Sequence, residues 1–319
     1  MKAPLTIIVP VRNRAQVVTK TLDSIAASSC AFEELLIVDN GSGDATAAVC
    51  RQWVEAHQDI PARMMTEPRP GAAVARNCGL RACQSEYVYF FDSDDVFSDN
   101  FIEDIYPEFA EPFDVLCVPV RQEVDGVVRE RPYRACADVY VHLINNMLST
   151  QSMVYSKAFL EAAGGWNEEL TTWDDWELGT RVLLAHPRLR WHEGQAFHRV
   201  LVHRDSLTGP SFTATLPAIG KATQAVLQAL QQKPMAETER RCALKAFYLR
   251  CMIYGGQLRC EGSREGEATF KALAKEAVGK PKCGLRWTGG LLRRYAARGG
   301  RGAWRIAMAV VDLSSCRHG

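Results

Sequence analysis

Residues Tyr87–Asp95 read YVYFFDSDD. An unbroken run of aromatic and β-branched residues predicts a strand buried on both faces, and such strands belong to parallel sheets covered by helices. The run ends in a polar turn carrying three carboxylates, Asp92, Asp94 and Asp95. Three carboxylates in one turn repel one another unless a cation sits among them, and hard oxygen donors suit Mg2+ or Mn2+. Without a ligand, the same turn reads as an acidic cap for the following helix.

The same alternation extends on both sides of this strand. Leu5–Val11 (LTIIVPV) and Leu35–Val38 (LLIV) read as buried strands, and Arg63–Thr66 as a shorter one. Helical spacing runs through Ala15–Ala27, through Asp44–Ala56 with Asp44 as its N-cap, and from Pro70-Gly71 to Cys83. Asn100–Phe109 reads as a helix and Asp114–Val120 as a fifth strand. Strand-helix units of about 25–30 residues predict a parallel sheet with helices on both faces. Arg12-Asn13-Arg14, Asp39–Gly43 and Asp92–Asp95 each follow a strand. Ligands of open α/β sheets bind beyond the carboxyl ends of the strands, so these clusters are expected to converge on one crevice. The Gly41-Ser42-Gly43 loop is not a dinucleotide fingerprint, because Thr46 stands at the sixth place and the loop follows the second strand.

Past residue 120 the expected elements are a hairpin around Asp125-Gly126, a helix over Asp138–Leu148, a strand over Ser152–Tyr155 and a turn at Gly164-Gly165. A helix should begin near Trp176, with Asp174 or Asp175 as its cap, and run to Ala185. Pro217–Gln232, Glu237–Leu258 and Arg264–Val278 read as helices. The expected organisation is 1–120, 121–212 and a helical region over 213–319.

The chain has 319 residues, 38 basic and 37 acidic, with 47% hydrophobic and 24% charged residues. These are the values of an ordinary soluble globular protein and exclude wholesale disorder, a collagen-like chain and a polytopic membrane protein. No stretch reaches the ~18 apolar residues of a spanning helix. The Pro4–Val11 run meets Arg12 and Arg14 at once and lacks the flanks of a signal peptide. The 11 cysteines are odd in number and form no C-x-x-C pair. They read as reduced thiols of a cytoplasmic protein rather than a disulfide or zinc framework. From Lys280 onward nine basic residues face the single acid Asp312, so the rest of the chain is net acidic. Over 286–313 basic residues alternate with Leu291, Leu292, Tyr295 and Trp304. This segment is expected either on an anionic lipid surface or packed on the body with its arginines in solvent, the glycines at 299, 300 and 302 interrupting a continuous helix. Nucleic acid is not an expected partner, since the body is acidic and carries no nucleic-acid motif.

Several motifs in order carry a resemblance: TIIVPVRNR (Thr6–Arg14), LLIVDNGSGDAT (Leu35–Thr46), PGAAVARNCGL (Pro70–Leu80), YVYFFDSDD, GGWNEEL (Gly164–Leu170), WDDWELGTRV (Trp173–Val182) and VHRDSLT (Val202–Thr208). Over about Leu5–Thr208 the chain resembles the family 2 glycosyltransferases. The resemblance implies an α/β, GT-A-type (Rossmann-like), mostly parallel sheet flanked by helices, followed here by a helical C-terminal extension. It implies a nucleoside-diphosphate sugar donor, a UDP-sugar being favoured, a glycan or lipid-linked acceptor, Mn2+ or Mg2+, and a single displacement with inversion. Asp94 would be the metal ligand, with His203 approaching the metal or diphosphate. Asp92, with Ser93 beside it, would meet the ribose or approach the metal through water. Asp39 would contact the base or ribose, and Arg76 and Gly71 would lie against the nucleotide. Pro10, Val11, Arg12, Asn13 and Arg14 would line the first loop. Asp175 would be the catalytic base with Asp174 as the alternative, and Trp173 and Trp176 would offer either an acceptor platform or core packing. Two positions depart from the family pattern. Asn40 stands where a second acid is usual, and Asp174-Asp175 replaces Glu-Asp. A nucleotidyltransferase and an inactive nucleotide-binding scaffold are the competing readings. The first would favour a Gly-rich first loop, and the second would tolerate loss of Asp94 or Asp175.

Overall fold

The structure is a computed structural model that describes residues 2–124, 126–130, 136–195, 197–202 and 211–315. The first half alternates as expected: β1 (Lys2–Val11), α1 (Val18–Ala26), β2 (Ala31–Asp39), α2 (Thr46–Ala56), β3 (Ala62–Thr66), α3 (Ala72–Ala82), β4 (Tyr87–Phe90) and α4 (Phe101–Ile105). β5 (Val115–Cys117) and the antiparallel pair β6 (Val120–Val124) and β7 (Val127–Glu130) follow. Next come α5 (Val139–Asn145), β8 (Met153–Ser156), α6 (Lys157–Ala162), α7 (Asp174–Leu184), β9 (Leu189–Trp191) and β10 (Phe197–Val202). Five helices complete the described chain: α8 (Leu216–Gln232), α9 (Glu237–Cys260), α10 (Arg264–Val278), α11 (Cys283–Ala296) and α12 (Ala303–Ser315).

These elements form two units, each taken by itself. The first holds all the strands with α1–α4 and α6. Among the described residues its main sheet has seven strands in the order β3-β2-β1-β4-β8-β5-β9. β1 lies inside the sheet, and its run from Leu5 to Val11 is apolar apart from Thr6 and buried throughout. It pairs in parallel with β2 and with β4, so that Ile8 is opposite both Leu36 and Phe90. The sheet is mostly parallel, but β5 does not adjoin β4. β8 inserts between them and runs antiparallel to both. Periodicity alone does not register this crossover, since a short apolar strand reads alike in either direction. β6, β7 and β10 form a second, three-stranded sheet. The aromatic residues Tyr87, Tyr89, Phe91, Phe97, Phe101 and Phe113 join the aliphatic side chains of β1 and β2 in one core.

Asp44 sits one residue earlier than its expected capping position. Ala45 is the N-cap of α2, and Asp44 Oδ1 accepts the Thr46 N–H at 2.9 Å and the Thr46 hydroxyl. One orphan N–H of the first turn is thereby satisfied.

The second unit joins α5 and α7 to α8–α12. α9 packs against α5, α10, α11 and α12. Its approach to α11 is set by two glycines. A Cβ on Gly256 would meet the Arg293 carbonyl oxygen and Ala296, and one on Gly289 would meet the Tyr248 ring. α11 ends at Ala296, and α12 starts at Ala303 after Gly299 and Gly302, both at positive φ, so the glycines do break the tail into two helices. No helix among the described residues is long and apolar enough to cross a membrane.

Candidate active site

In the first unit the carboxyl ends of β1, β2, β3 and β4 lie along one edge. Val11 is opposite Asp39, and Asp39 is opposite Thr66. β1 sits between β2 and β4, where the chain reverses its direction of travel across the sheet. A reversal of this kind opens a crevice at the strand ends.

The loops at this edge are bonded to each other. Asn13 adopts a left-handed backbone (φ +52°) that turns the chain after β1. Its N–H donates to Ser42 Oγ at 3.0 Å, and its Oδ1 accepts the Gly43 N–H at 2.9 Å. The Arg14 N–H donates to Thr46 Oγ1 at 2.7 Å. The Pro10 and Val11 side chains are buried, and the Val11 carbonyl accepts the Asn40 N–H, whereas Arg12 is exposed. Asn40 donates to the Glu67 and Arg69 carbonyls at 3.1 and 2.6 Å and accepts the Gly71 N–H at 2.8 Å. That role explains the departure from a second acid, because an ionised carboxylate has no proton to give to either carbonyl. Gly71, the N-cap of α3, has φ +136°, a conformation in which a side chain would be strained.

Asp39 is buried, and its Oδ1 has no hydrogen-bond partner among the described residues. A buried carboxylate oxygen left unbonded is costly in a folded chain, and a ligand hydroxyl or N–H would satisfy it. Beside it the acidic turn is shared out. Asp92 receives Arg76 Nη2 at 2.9 Å, and that guanidinium lies 4.4 Å from the Trp166 ring centroid, so Arg76 is clamped between a carboxylate and an aromatic face. Ser93 is buried within the turn. Asp94 Oδ2 faces Arg14 Nη2 at 3.2 Å. Burial and then the charge of Asp92 raise the Asp94 carboxyl above the ordinary carboxylate range, while Arg14 pulls it back. Asp95 turns inward. Its oxygens accept the Gln151 amide and the Leu201 N–H, each at 2.6 Å, and burial pushes it up to about 8. Asp95 therefore fastens β10 and the turn before β8, whereas Asp92 and Asp94, each paired with an arginine, stay partly exposed at the strand edge.

No cluster of three His, Cys, Asp or Glu forms a closed cation cage among the described residues. One or two carboxylates completed by substrate phosphate oxygens is, however, the usual protein share of a Mg2+ site, so Asp92 and Asp94 fit Mg2+ or Mn2+. His203 and the rest of the expected His-x-x-Ser segment up to 208 lie outside the described residues. His198, on β10, is a core residue. Tyr89, Phe91, Phe97 and Phe101 surround its ring, Nδ1 accepts the Ser98 N–H at 3.0 Å, and burial pushes it down from 6.5 to about 3.

A pH dependence follows with a definite sign. The folded value of His198 lies below the unfolded one, so its stabilising contribution is complete above about 6.5 and disappears as pH falls toward 3. His198→Phe, measured by urea melts from pH 7 to 4, should flatten that decline. At neutral pH it should cost about 1–3 kcal/mol for the stranded Ser98 N–H. An unchanged slope would refute the assignment.

In the second unit, α7 begins at Asp174, two residues before the expected start. Trp173 is its N-cap at φ +54°, and Asp174 and Asp175 occupy the first turn. A bulky residue in the left-handed region is a strained position of the kind that clusters at functional sites. The Asp175 N–H donates to Asp174 Oδ1 at 3.2 Å. Asp175 Oδ1 accepts the Trp176 N–H at 2.7 Å, and its Oδ2 faces Asn146 Nδ2 at 3.4 Å. Asn146, also left-handed (φ +45°), ends α5. The preceding α5 carbonyls, of Leu143 and Ile144, accept Arg250 Nη1 at 2.7 and 3.2 Å. The Arg250 guanidinium is buried over Trp176 (4.1 Å), Tyr254 (5.0 Å) and Trp173 (5.3 Å). Trp176 is thus core, while Trp173 keeps partial exposure and touches Trp176, Tyr254 and Phe212. Sequence reading missed Asn146 and Arg250. Neither belongs to a motif, and each acts on residues distant in the chain.

Comparison with known proteins completes the assignment. Residues 6–162 match the family described as Glycosyl transferase family 2. The minor teichoic acid biosynthesis protein GgaA of Bacillus subtilis is 25% identical over 221 residues, 65% of this chain and 49% of that protein. The pre-mycofactocin glycosyltransferase of Mycobacterium tuberculosis is 28% identical over 199 residues, 59% of this chain and 40% of that protein. The chain thus spans half or less of the length of these relatives. Among solved structures, S. aureus TarS 1–349 in complex with UDP-GlcNAc superposes with a TM-score of 0.72 at 18% identity, covering 98% of this chain and 92% of that one. The mannosyltransferase PcManGT from Pyrobaculum calidifontis, in complex with GDP-Man and Mn2+, gives 0.59 at 18%, covering 98% and 88%. The ordered motifs, the strand order and these matches agree: residues 6–162 belong to the family 2 glycosyltransferases, and the chain has the GT-A fold.

Proposed function

We propose that the protein transfers a sugar from a nucleoside-diphosphate sugar, with UDP as the favoured nucleotide, to a hydroxyl of a glycan or lipid-linked acceptor on the cytoplasmic side of the cell. Residues 1–120 would handle the donor, 121–212 the acceptor, and 213–319 form the helical region. The observation that carries the reading is the unbonded, buried Asp39 oxygen at the strand edge where Arg14, Arg76, Asp92 and Asp94 also converge. A hydroxylated, doubly phosphorylated ligand meets both needs, offering hydroxyls to carboxylates and phosphates to cations. The UDP-GlcNAc, UDP and GDP-Man named for the structural relatives support a nucleotide-sugar donor.

Asp94, with Asp92 beside it, would hold Mn2+ or Mg2+, which offsets the charge of the departing diphosphate when bound. His203 is proposed to approach the same group. Arg12, Asn13 and Arg14, the Pro10-Val11 backbone and Gly71 would border the nucleotide, and Arg76 fixes the orientation of Asp92. Asp175 takes the proton of the acceptor hydroxyl as that oxygen bonds to the anomeric carbon. The bond to the diphosphate oxygen breaks on the opposite face, which inverts the centre. Asp174 is the alternative base, and Trp173 offers a ring for the acceptor.

A thermal-shift panel of UDP, GDP, dTDP, CDP and ADP, each with and without Mn2+, tests the reading. UDP should give the largest Mn2+-dependent stabilisation, about 2.7 kcal/mol at a hundredfold excess over Kd. A larger shift with another nucleotide would reassign the donor. Absence of any shift in a folded sample would overturn the donor site.

A further inference from the structure

α11 and α12 each spend one face on the second unit and keep apolar side chains on the other. On α11 the buried face is Gly289, Leu292 and Ala296. On α12 it is Ala303, Ala307, Met308 and Val311. The residues left over are large. Trp287 is 70% exposed, and Leu291 and Tyr295 follow it at four-residue spacing, which places the three along one stripe of α11. Trp304 and Ile306 are exposed on α12. A contiguous row of exposed aromatic and aliphatic side chains marks an interaction surface.

The charge around this row selects the partner. Lys282, Arg286, Arg294, Arg298, Arg301 and Arg305 are all exposed, and the sequence from Lys280 onward has one acid, Asp312. Arg286 and Arg294 stand one residue before Trp287 and Tyr295 and so flank the stripe on one side. Arg305 lies over the Trp304 ring, with its guanidinium 5.3 Å from the centroid. Arg293 is the exception, paired inward with Glu267 of α10.

We infer that the outer faces of α11 and α12 form a docking surface for an anionic lipid bilayer. Tryptophan and tyrosine settle at the headgroup level, aliphatic side chains enter the acyl boundary, and arginines reach up to lipid phosphates. A second copy of this chain is a poor fit, because face-to-face pairing would bring like-charged arginines together. Single-stranded nucleic acid would match the charge, but Leu291 and Ile306 have no ring on which a base could stack. The inference is independent of the donor site.

The test is flotation of the full chain with phosphatidylcholine vesicles, with and without phosphatidylglycerol, at two salt concentrations. Binding should require phosphatidylglycerol and weaken with salt. Trp287→Ser with Leu291→Ser, and separately Arg286→Glu with Arg294→Glu, should each reduce partitioning by roughly tenfold or more. All the substituted side chains are exposed, so melting temperature and nucleotide-induced shift should stay at wild-type values. Four results would overturn the inference: no binding to either vesicle, equal binding to both, binding that survives both double substitutions, or tighter binding to poly-U RNA than to anionic vesicles. A dimer abolished by Trp287→Ser with Leu291→Ser would reassign the surface to a second copy.

Discussion

Asp94→Asn should lower turnover roughly a thousandfold, the loss typical when a group that stabilises transition-state charge is removed. The fold should survive. Burial and Asp92 already oppose ionisation of Asp94, so the amide relieves an electrostatic cost, and the Arg14 pair it forfeits is half-exposed and contributes at most about 1 kcal/mol. The melting temperature should therefore be unchanged or slightly higher. The nucleotide-induced shift should lose its Mn2+ dependence. Steady-state rates with a nucleotide sugar, read beside a thermal melt, check both halves. A variant with wild-type turnover would remove Asp94 from the mechanism and favour an inactive scaffold.

Asp175→Asn should lower kcat by about 10²–10⁴, the range for loss of a general base, while donor KM stays near its wild-type value. The side-chain oxygen of asparagine can still accept the Trp176 N–H, so the first turn of α7 keeps that bond. The companion variant Asp174→Asn discriminates between the neighbours. Asp174 accepts the Asp175 N–H, a bond that the asparagine oxygen keeps, so its effect on kcat should be at least tenfold smaller. If Asp174→Asn proves the more damaging change, the base is Asp174. The pH profile of kcat/KM gives an independent readout, since the acid limb should vanish only in the variant that lacks the base.

Much of the first 120 residues was legible in the sequence because the elements there are decided locally. β1, β2 and β4 are apolar runs that can only be buried, and their polar exits fall where an α/β sheet places its ligands. β9 and β10 were not foreseen. β9 has three half-buried residues and is defined by its pairing to β5, and β10 by its pairing to β6. The division of the acidic turn was equally hidden. Nothing in DSDD marks Asp95 as the residue consumed by Gln151 and Leu201. Trp173 illustrates the opposite failure. Its intrinsic preference opposes a left-handed backbone, so sequence reading moved the start of α7 to Trp176, and only packing against Trp176, Tyr254 and Phe212 makes the strained start of the helix intelligible.

The helix that carries Asp174 and Asp175 is synthesised long before the residues that complete its unit. Arg250 reaches back 107 residues to close the end of α5, and α7 is covered by α8. A growing chain that has finished its sheet still lacks the helices against which α5 and α7 pack. These two segments can complete their packing only after α8 and α9 have left the ribosome. A chain cut after residue 212 would therefore keep the acidic motif without the scaffold that holds it.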